Sequence, residues 1–208
     1  MKTVQGEITI VAEHDSVPLV ADYAVRILIP EKYPMLLPKV FEESGSIPGQ
    51  FEHFYGDNSL CLGVAYELRE KLRNHQNSLR YFFDEFVVGY LYSVAYFKKY
   101  GCYPYGDRSH GVEGIIEFYY EKLDVRTIPH VVSLLTAVCS NRYRGHLWCP
   151  CGSNKRWRSC HGGVVLQLLE SEFKEQMFHD LSEILLYESA KTGRADGERN
   201  ERRHISRI

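Results

Sequence analysis

The string Cys149-Pro150-Cys151-Gly152-Ser153-Asn154-Lys155-Arg156-Trp157-Arg158-Ser159-Cys160-His161 constrains this chain more than any other stretch. Zinc favours four tetrahedral ligands drawn from Cys and His. Cys149 and Cys151 can ligate from one tight turn, because Pro150 restricts the backbone and Gly152 permits the return. Cys160 and His161 complete the set. With all four positions filled by protein, the expectation is a structural zinc rather than a catalytic one with a water ligand. The other cysteines are Cys61, Cys102 and Cys139. Six cysteines admit three disulfides, but the clustering beside a histidine and the absence of a secretory pattern at Met1-Lys2 favour metal ligation. Lys155, Arg156, Trp157 and Arg158 form a basic-aromatic patch suited to a partner protein or a phosphate backbone. Such residues also simply solvate and pack a knuckle of this size, and that reading is preferred.

The remainder reads as strands followed by helices. Gly6 to Val11 and Leu19 to Leu28 are β-branched and alternating, with Glu13 to Ser16 as a turn, so a hairpin is predicted. Tyr33-Pro34 imposes extended or turn geometry, and Lys39 to Phe41 is a short third strand. Ser78 to Lys99 carries apolar residues at helical spacing, with Ser78 as N-cap and Gly101 as the stop. Helices are also predicted over Glu113 to Lys122, from Pro129 onward with Val131, Leu134, Leu135 and Val138 on one face, and over Val164 to Ser189. Cys139 falls on an apolar helix face and reads as core. The expected class is α+β, an antiparallel sheet with helices on one side, plus a small knuckle and a C-terminal helix. The expected divisions are 1–125, then 126–192 containing the knuckle at 148–163, then a charged, flexible tail at 193–208.

Composition sets outer limits. In 208 residues, 44% are apolar and 25% charged, enough for an ordinary core and unlike a disordered chain. Lys and Arg total 25 against 27 acids, so there is no global basic excess and direct nucleic-acid binding is not expected. The near-apolar run from Phe86 to Phe97 is too short to span a bilayer. A cytoplasmic protein with no membrane partner is expected. The 15 tyrosines point to aromatic-rich surfaces or clefts.

The knuckle string resembles the SEC-C motif, a zinc knuckle appended to many bacterial proteins, over about residues 148–163. Asn154 stands where that family usually has Gly. A second stretch runs Ile29-Pro30, Tyr33-Pro34, Pro38-Lys39-Val40, then His53-Phe54-Tyr55-Gly56-Asp57-Asn58-Ser59-Leu60-Cys61-Leu62. From Leu-Cys-Leu alone, Cys61 reads as a structural core cysteine. A cysteine on irregular backbone near His53 and Asn58 could also serve as an exposed thiol nucleophile. The arrangement resembles the ubiquitin-conjugating enzyme fold over about residues 6–122. That family carries Tyr-Pro-x-x-Pro-Pro, His-Pro-Asn and Gly-x-Ile-Cys-Leu. Tyr33, Pro34 and Pro38 match the first motif, His53 the second and Leu60-Cys61-Leu62 the third. Leu37 replaces a proline, Phe54-Tyr55 replaces Pro-Asn, and the first family helix has no room before Gly6.

The resemblance implies a divergent bacterial member, of the kind found in anti-phage CBASS operons beside a cGAS-like nucleotidyltransferase. Its reaction would join a partner's C-terminal glycine to a lysine through a cysteine thioester. Asn58 or His53 would support the oxyanion, and Asp107 or His110 would accept the lysine proton. Cys102, in Gly101-Cys102-Tyr103, sits in the loop that the family places against the active cysteine. Cys61 and Cys102 therefore stand level as nucleophile. An inactive scaffold, a Cys-His hydrolase on Cys102 and His110, or an adaptor working through its knuckle are the competing readings.

Overall fold

The computed structural model describes residues 1–14, 17–48, 51, 53–104, 109 and 111–205, with the backbone alone for His14, Val17 and 192–205. The chain divides into two compact units, Met1–His110 and Gly111–Ile208. The class is mixed α+β, with a three-stranded antiparallel sheet.

In the first unit, β1 (Lys2–His14) and β2 (Val17–Ile29) form a long hairpin, and β3 (Lys39–Glu42) pairs with β2. Alternation assigns the faces. Ile10, Tyr23, Val25, Ile27 and Val40 are buried, whereas Val11 and Val20, paired directly, are exposed. On that exposed face the Thr9 hydroxyl donates to Asp22 at 2.6 Å, and the Arg26 guanidinium lies 4.4 Å from the Phe41 ring centre.

The buried face is covered by one helical rod: α2 (Leu79–Tyr81), a π-helical turn (Phe82–Val87) and α3 (Val88–Tyr100). Phe82, Phe86, Val87, Leu91 and Val94 join the strand residues in one apolar cluster. Each fully buried side chain of this size contributes about 1.5–3 kcal/mol. The Ser78 hydroxyl caps the rod by accepting from Tyr81 N at 3.3 Å, and Gly101 ends it. Sequence reasoning passed over α1 (Ala65–Asn74), which begins at Val64 with no capping side chain. Its Tyr66, Leu68 and Leu72 are buried. Its Arg69 donates to the carbonyls of Pro34, at 3.3 Å, and Met35, and the Tyr33 hydroxyl donates to Asn77 O at 2.7 Å. The proline-punctuated turn is thereby tied to α1.

The second unit holds α4 (Gly111–Leu123), α5 (Ile128–Cys139), a 3-10 turn (Trp157–Ser159), α6 (Gly162–Glu170) and α7 (Lys174–Ile205). The division at His110 falls ahead of the expected boundary after residue 125. The reason is that α4 packs on α7, where the buried Tyr119 hydroxyl donates to Asp180 at 2.8 Å and Gln176 donates to the other carboxylate oxygen at 2.8 Å. The single helix expected over Val164 to Ser189 is two. Ser171 takes extended geometry (ψ 138°), and its hydroxyl accepts from Phe173 N at 3.1 Å, a local bond that competes with the helix. The 193–208 segment, expected as a flexible tail, continues the α7 backbone to Ile205. Among the described residues, no helix is long and apolar enough to cross a membrane.

Candidate functional sites

The knuckle is built by a short antiparallel ribbon. Cys149 N donates to Lys155 O at 2.8 Å, Trp148 pairs with Arg156, Trp157 N donates to Leu147 O at 2.9 Å, and Arg158 N donates to Gly145 O at 3.2 Å. The return passes through Gly152 (φ 74°) and Asn154 (φ 55°). Both are left-handed positions, which explains why Asn, the non-glycine residue best suited to that region, can stand at 154. Trp157 is buried and packs edge-on to Tyr143. Gly162 lets the backbone close: a Cβ there would lie 2.6 Å from Trp157 O and 2.7 Å from the Tyr143 hydroxyl.

This ribbon brings Cys149, Cys151, Cys160 and His161 together, with all four ligand atoms within 4.8 Å of one another. His161 Nδ1 lies 3.2 Å from Cys149 Sγ and 3.2 Å from Cys160 Sγ, and Cys151 Sγ lies 3.5 Å from Cys160 Sγ. A disulfide needs about 2.05 Å, so these are separate thiols. In a tetrahedral site with metal–sulfur bonds of about 2.3 Å, neighbouring ligand atoms sit about 3.8 Å apart. The observed spacings are close to this, and the four residues can hold a metal ion. The Ser153 hydroxyl lies 3.2 Å from both Cys151 Sγ and Cys160 Sγ. Burial pushes the Cys149 thiol up to about 11. For Cys151 burial acts in the same direction, but hydrogen bonding with Ser153, followed by Cys149 and Cys160, outweighs it and brings the thiol down to about 6. Sequence reasoning had not singled out Ser153, Tyr143 or Gly162 as supports.

The second site surrounds Cys61. Residues 53–61 form a tight turn: Phe54 pairs with Leu60, Tyr55 N donates to Ser59 O, and Cys61 N donates to His53 O at 2.9 Å. Asn58 takes the left-handed position at the tip (φ 64°) and is exposed. Leu60 N donates to Val40 O at 2.8 Å, which fastens the turn to β3. Lys39 donates to Asp57 at 2.6 Å, and the buried Ser59 hydroxyl donates to the other oxygen at 2.6 Å. Together, Lys39 first, they hold the Asp57 carboxyl well below the usual range.

Cys61 is half-buried. Tyr55, on the same turn, is about half exposed, and partial burial followed by the electrostatic influence of Cys61 raises its phenol well above the ordinary value. The Tyr90 hydroxyl donates to His53 O at 2.8 Å and is likewise raised, by burial first and then by Cys61. Both phenols therefore stay protonated and remain donors. The His53 ring packs 4.9 Å from Phe51 and 5.1 Å from Tyr103, centre to centre. Tyr103 follows Cys102, so the loop after α3 lies against His53. Cys102 itself is exposed. Asp107 and His110 lie outside the described residues. Cys139, read as core, is half-buried at the end of α5, where burial raises its thiol. Tyr55, Tyr90 and Tyr103 were not singled out, and the abundance of tyrosine was their only signal.

Searches against protein-family models, curated proteins and solved structures find no match to this chain.

Proposed function

We propose that the first unit is a thiol-dependent acyl transferase of the ubiquitin-conjugating type, and that the second carries a structural zinc. One observation supports the transferase reading above others. Cys61 is a half-buried cysteine on a turn fastened by backbone bonds, with a phenol that keeps its proton on the same turn and His53 paired across from it. The Cys61 thiolate attacks an activated acyl carbonyl at a partner's C-terminal glycine. The C–S bond forms as the donor's leaving group, a thiolate or a nucleotide phosphate, departs. A lysine amine then attacks, a C–N bond forms, and the Cys61 thiolate leaves. The amine proton passes to a base, for which Asp107 and His110 are the candidates. Donors near Cys61 stabilise the tetrahedral oxyanion. A partner protein such as a cGAS-like nucleotidyltransferase would supply the glycine in the anti-phage setting. For the knuckle, three thiols, one imidazole and no open position suit zinc in a structural role.

The test offers the protein a peptide thioester ending in glycine and reads intact mass with and without reductant. Wild type, Cys61→Ser and Cys102→Ser are compared. A reductant-sensitive adduct lost only with Cys61, or trapped on its serine as a stable ester, supports the assignment. An adduct that follows Cys102, the exposed thiol, moves the nucleophile to that loop. No adduct on any variant sinks the transferase reading and leaves a scaffold.

A further inference from the structure

Between Asp124 and Glu170 the sequence contains no acid, yet it holds Arg126, Arg142, Arg144, Lys155, Arg156 and Arg158. The chain as a whole is at −2, so this one segment carries +6 while everything else carries −8. A divalent ion on three thiolates and a neutral imidazole subtracts only one. All six cations are exposed, and none is ion-paired with a carboxylate among the described residues. A solvated face normally intersperses both signs.

The ribbon of the knuckle concentrates this charge around an aromatic ring. Successive backbone bonds link Lys155 to Cys149, Arg156 to Trp148 and Arg158 to Gly145, while Leu147 N donates to Arg144 O at 2.9 Å. Neighbouring positions put the two tryptophans to opposite uses. Trp157 is 4% exposed and forms the knuckle's core, whereas Trp148 is 63% exposed. The Arg156 guanidinium lies 4.9 Å from the Trp148 ring centre and also donates to His146 O, so main chain and ring together hold it in place. The indole is thus oriented before any ligand arrives, with most of its surface in water.

We propose that this ribbon binds single-stranded nucleic acid, with a base stacked on Trp148 and the backbone phosphates held by Arg144, Lys155, Arg156 and Arg158. Such ligands supply regularly spaced anions and flat π-faces together, which is the pair of features the ribbon presents. An acidic peptide would match the charge but leave the oriented indole without a stacking partner. A duplex keeps its bases stacked on one another and offers the ring none.

The test titrates full-length, metal-replete protein with oligo-dT and follows tryptophan emission, fluorescence anisotropy and metal content. Oligo-dT is expected to bind, to quench Trp148, and to weaken steeply with salt. Trp148→Phe should keep binding but lose the quench. Trp148→Ala should bind about tenfold more weakly. Arg156→Glu with Arg158→Glu should nearly abolish binding and flatten the salt dependence by about 0.7 log unit for each phosphate no longer held. Lys98→Glu with Lys99→Glu, in the first unit, should change nothing. Unchanged metal content in each variant separates a damaged surface from a damaged fold. The proposal is overturned by no binding, by binding without Trp148 dependence, by equal affinity for duplex, or by polyglutamate binding as tightly as oligo-dT.

Discussion

Two groups of cysteines are placed by opposite strategies. In the knuckle, Cys149, Cys151, Cys160 and His161 come from one short segment, and that segment's own backbone bonds set their spacing. Cys61 shares its turn with His53 and Tyr55, but the groups packed around that turn come from far along the chain: Tyr90 from α3, and Tyr103 from the following loop. The first arrangement needs little beyond its ligands and a tight return. The second needs the sheet, the rod and the loop in place before the thiol has any environment. Local sites of the first kind can be lost or retained as a unit, whereas sites of the second kind change with anything that moves the core.

The largest effect should come from breaking the local site. Chelation, or Cys149→Ser, should release the metal and unfold the knuckle, since metal binding free energy in structural zinc sites, about 10–16 kcal/mol in zinc-finger peptides, is largely folding free energy. Metal analysis and a thermal melt would check this, and the sheet signal of the first unit should persist. If the whole chain melted in one step at lower temperature, the contrast would be wrong.

Next is Gly162→Ala. Its methyl would meet Trp157 O at 2.6 Å, and overpacking of this kind costs about 1–3 kcal/mol. The expected result is a lower melting temperature and weaker metal retention, with Cys61 alkylation unaffected.

The converse probe is Tyr55→Phe, which removes the hydroxyl on which Cys61 acts electrostatically and leaves the ring. Alkylation of Cys61 by a maleimide should slow by up to about fivefold at neutral pH, the size of one polar interaction of about 1 kcal/mol. Metal content should not move. An unchanged rate would show that the phenol does not tune the thiol.

The smallest effect concerns Asp57. Its folded carboxyl is held below the ordinary value by Lys39 and Ser59, so its contribution is present above the unfolded pKa of about 3.9 and disappears as pH falls through the folded value. Asp57→Asn should therefore lower thermal stability slightly at pH 7 and make no difference in strong acid. A melt series against pH reads this directly. A difference that grows toward acid would contradict the assignment.

Legibility followed the same divide. The hairpin, the cap at Ser78 and the stop at Gly101 could be read because alternation, capping and helix termination are short-range effects. So could the four candidate ligands, because their spacing is local. The α1 helix escaped because Val64 offers no cap and its buried residues make sense only against the core. The break at Ser171 escaped because apolar spacing continues on both sides, and a single hydroxyl bond to Phe173 N decides the matter. The packing of α4 on α7 through Tyr119 and Asp180, which sets the compact unit that starts at Gly111, is a pairing that no local pattern announces.

By itself the sequence determined the class of each element it could sign locally, the four residues that could hold a metal ion, and the concentration of uncompensated positive charge around the knuckle. Tertiary structure alone decided that the Tyr90 hydroxyl from α3 ties down His53 O beside the Cys61 turn, that the loop after α3 lies against His53, and that Trp148 faces water while Trp157 fills the core. The physical reason is range. Backbone geometry and charge count are properties of neighbouring residues, whereas burial and the partners of a buried hydroxyl depend on which distant surfaces the chain packs together.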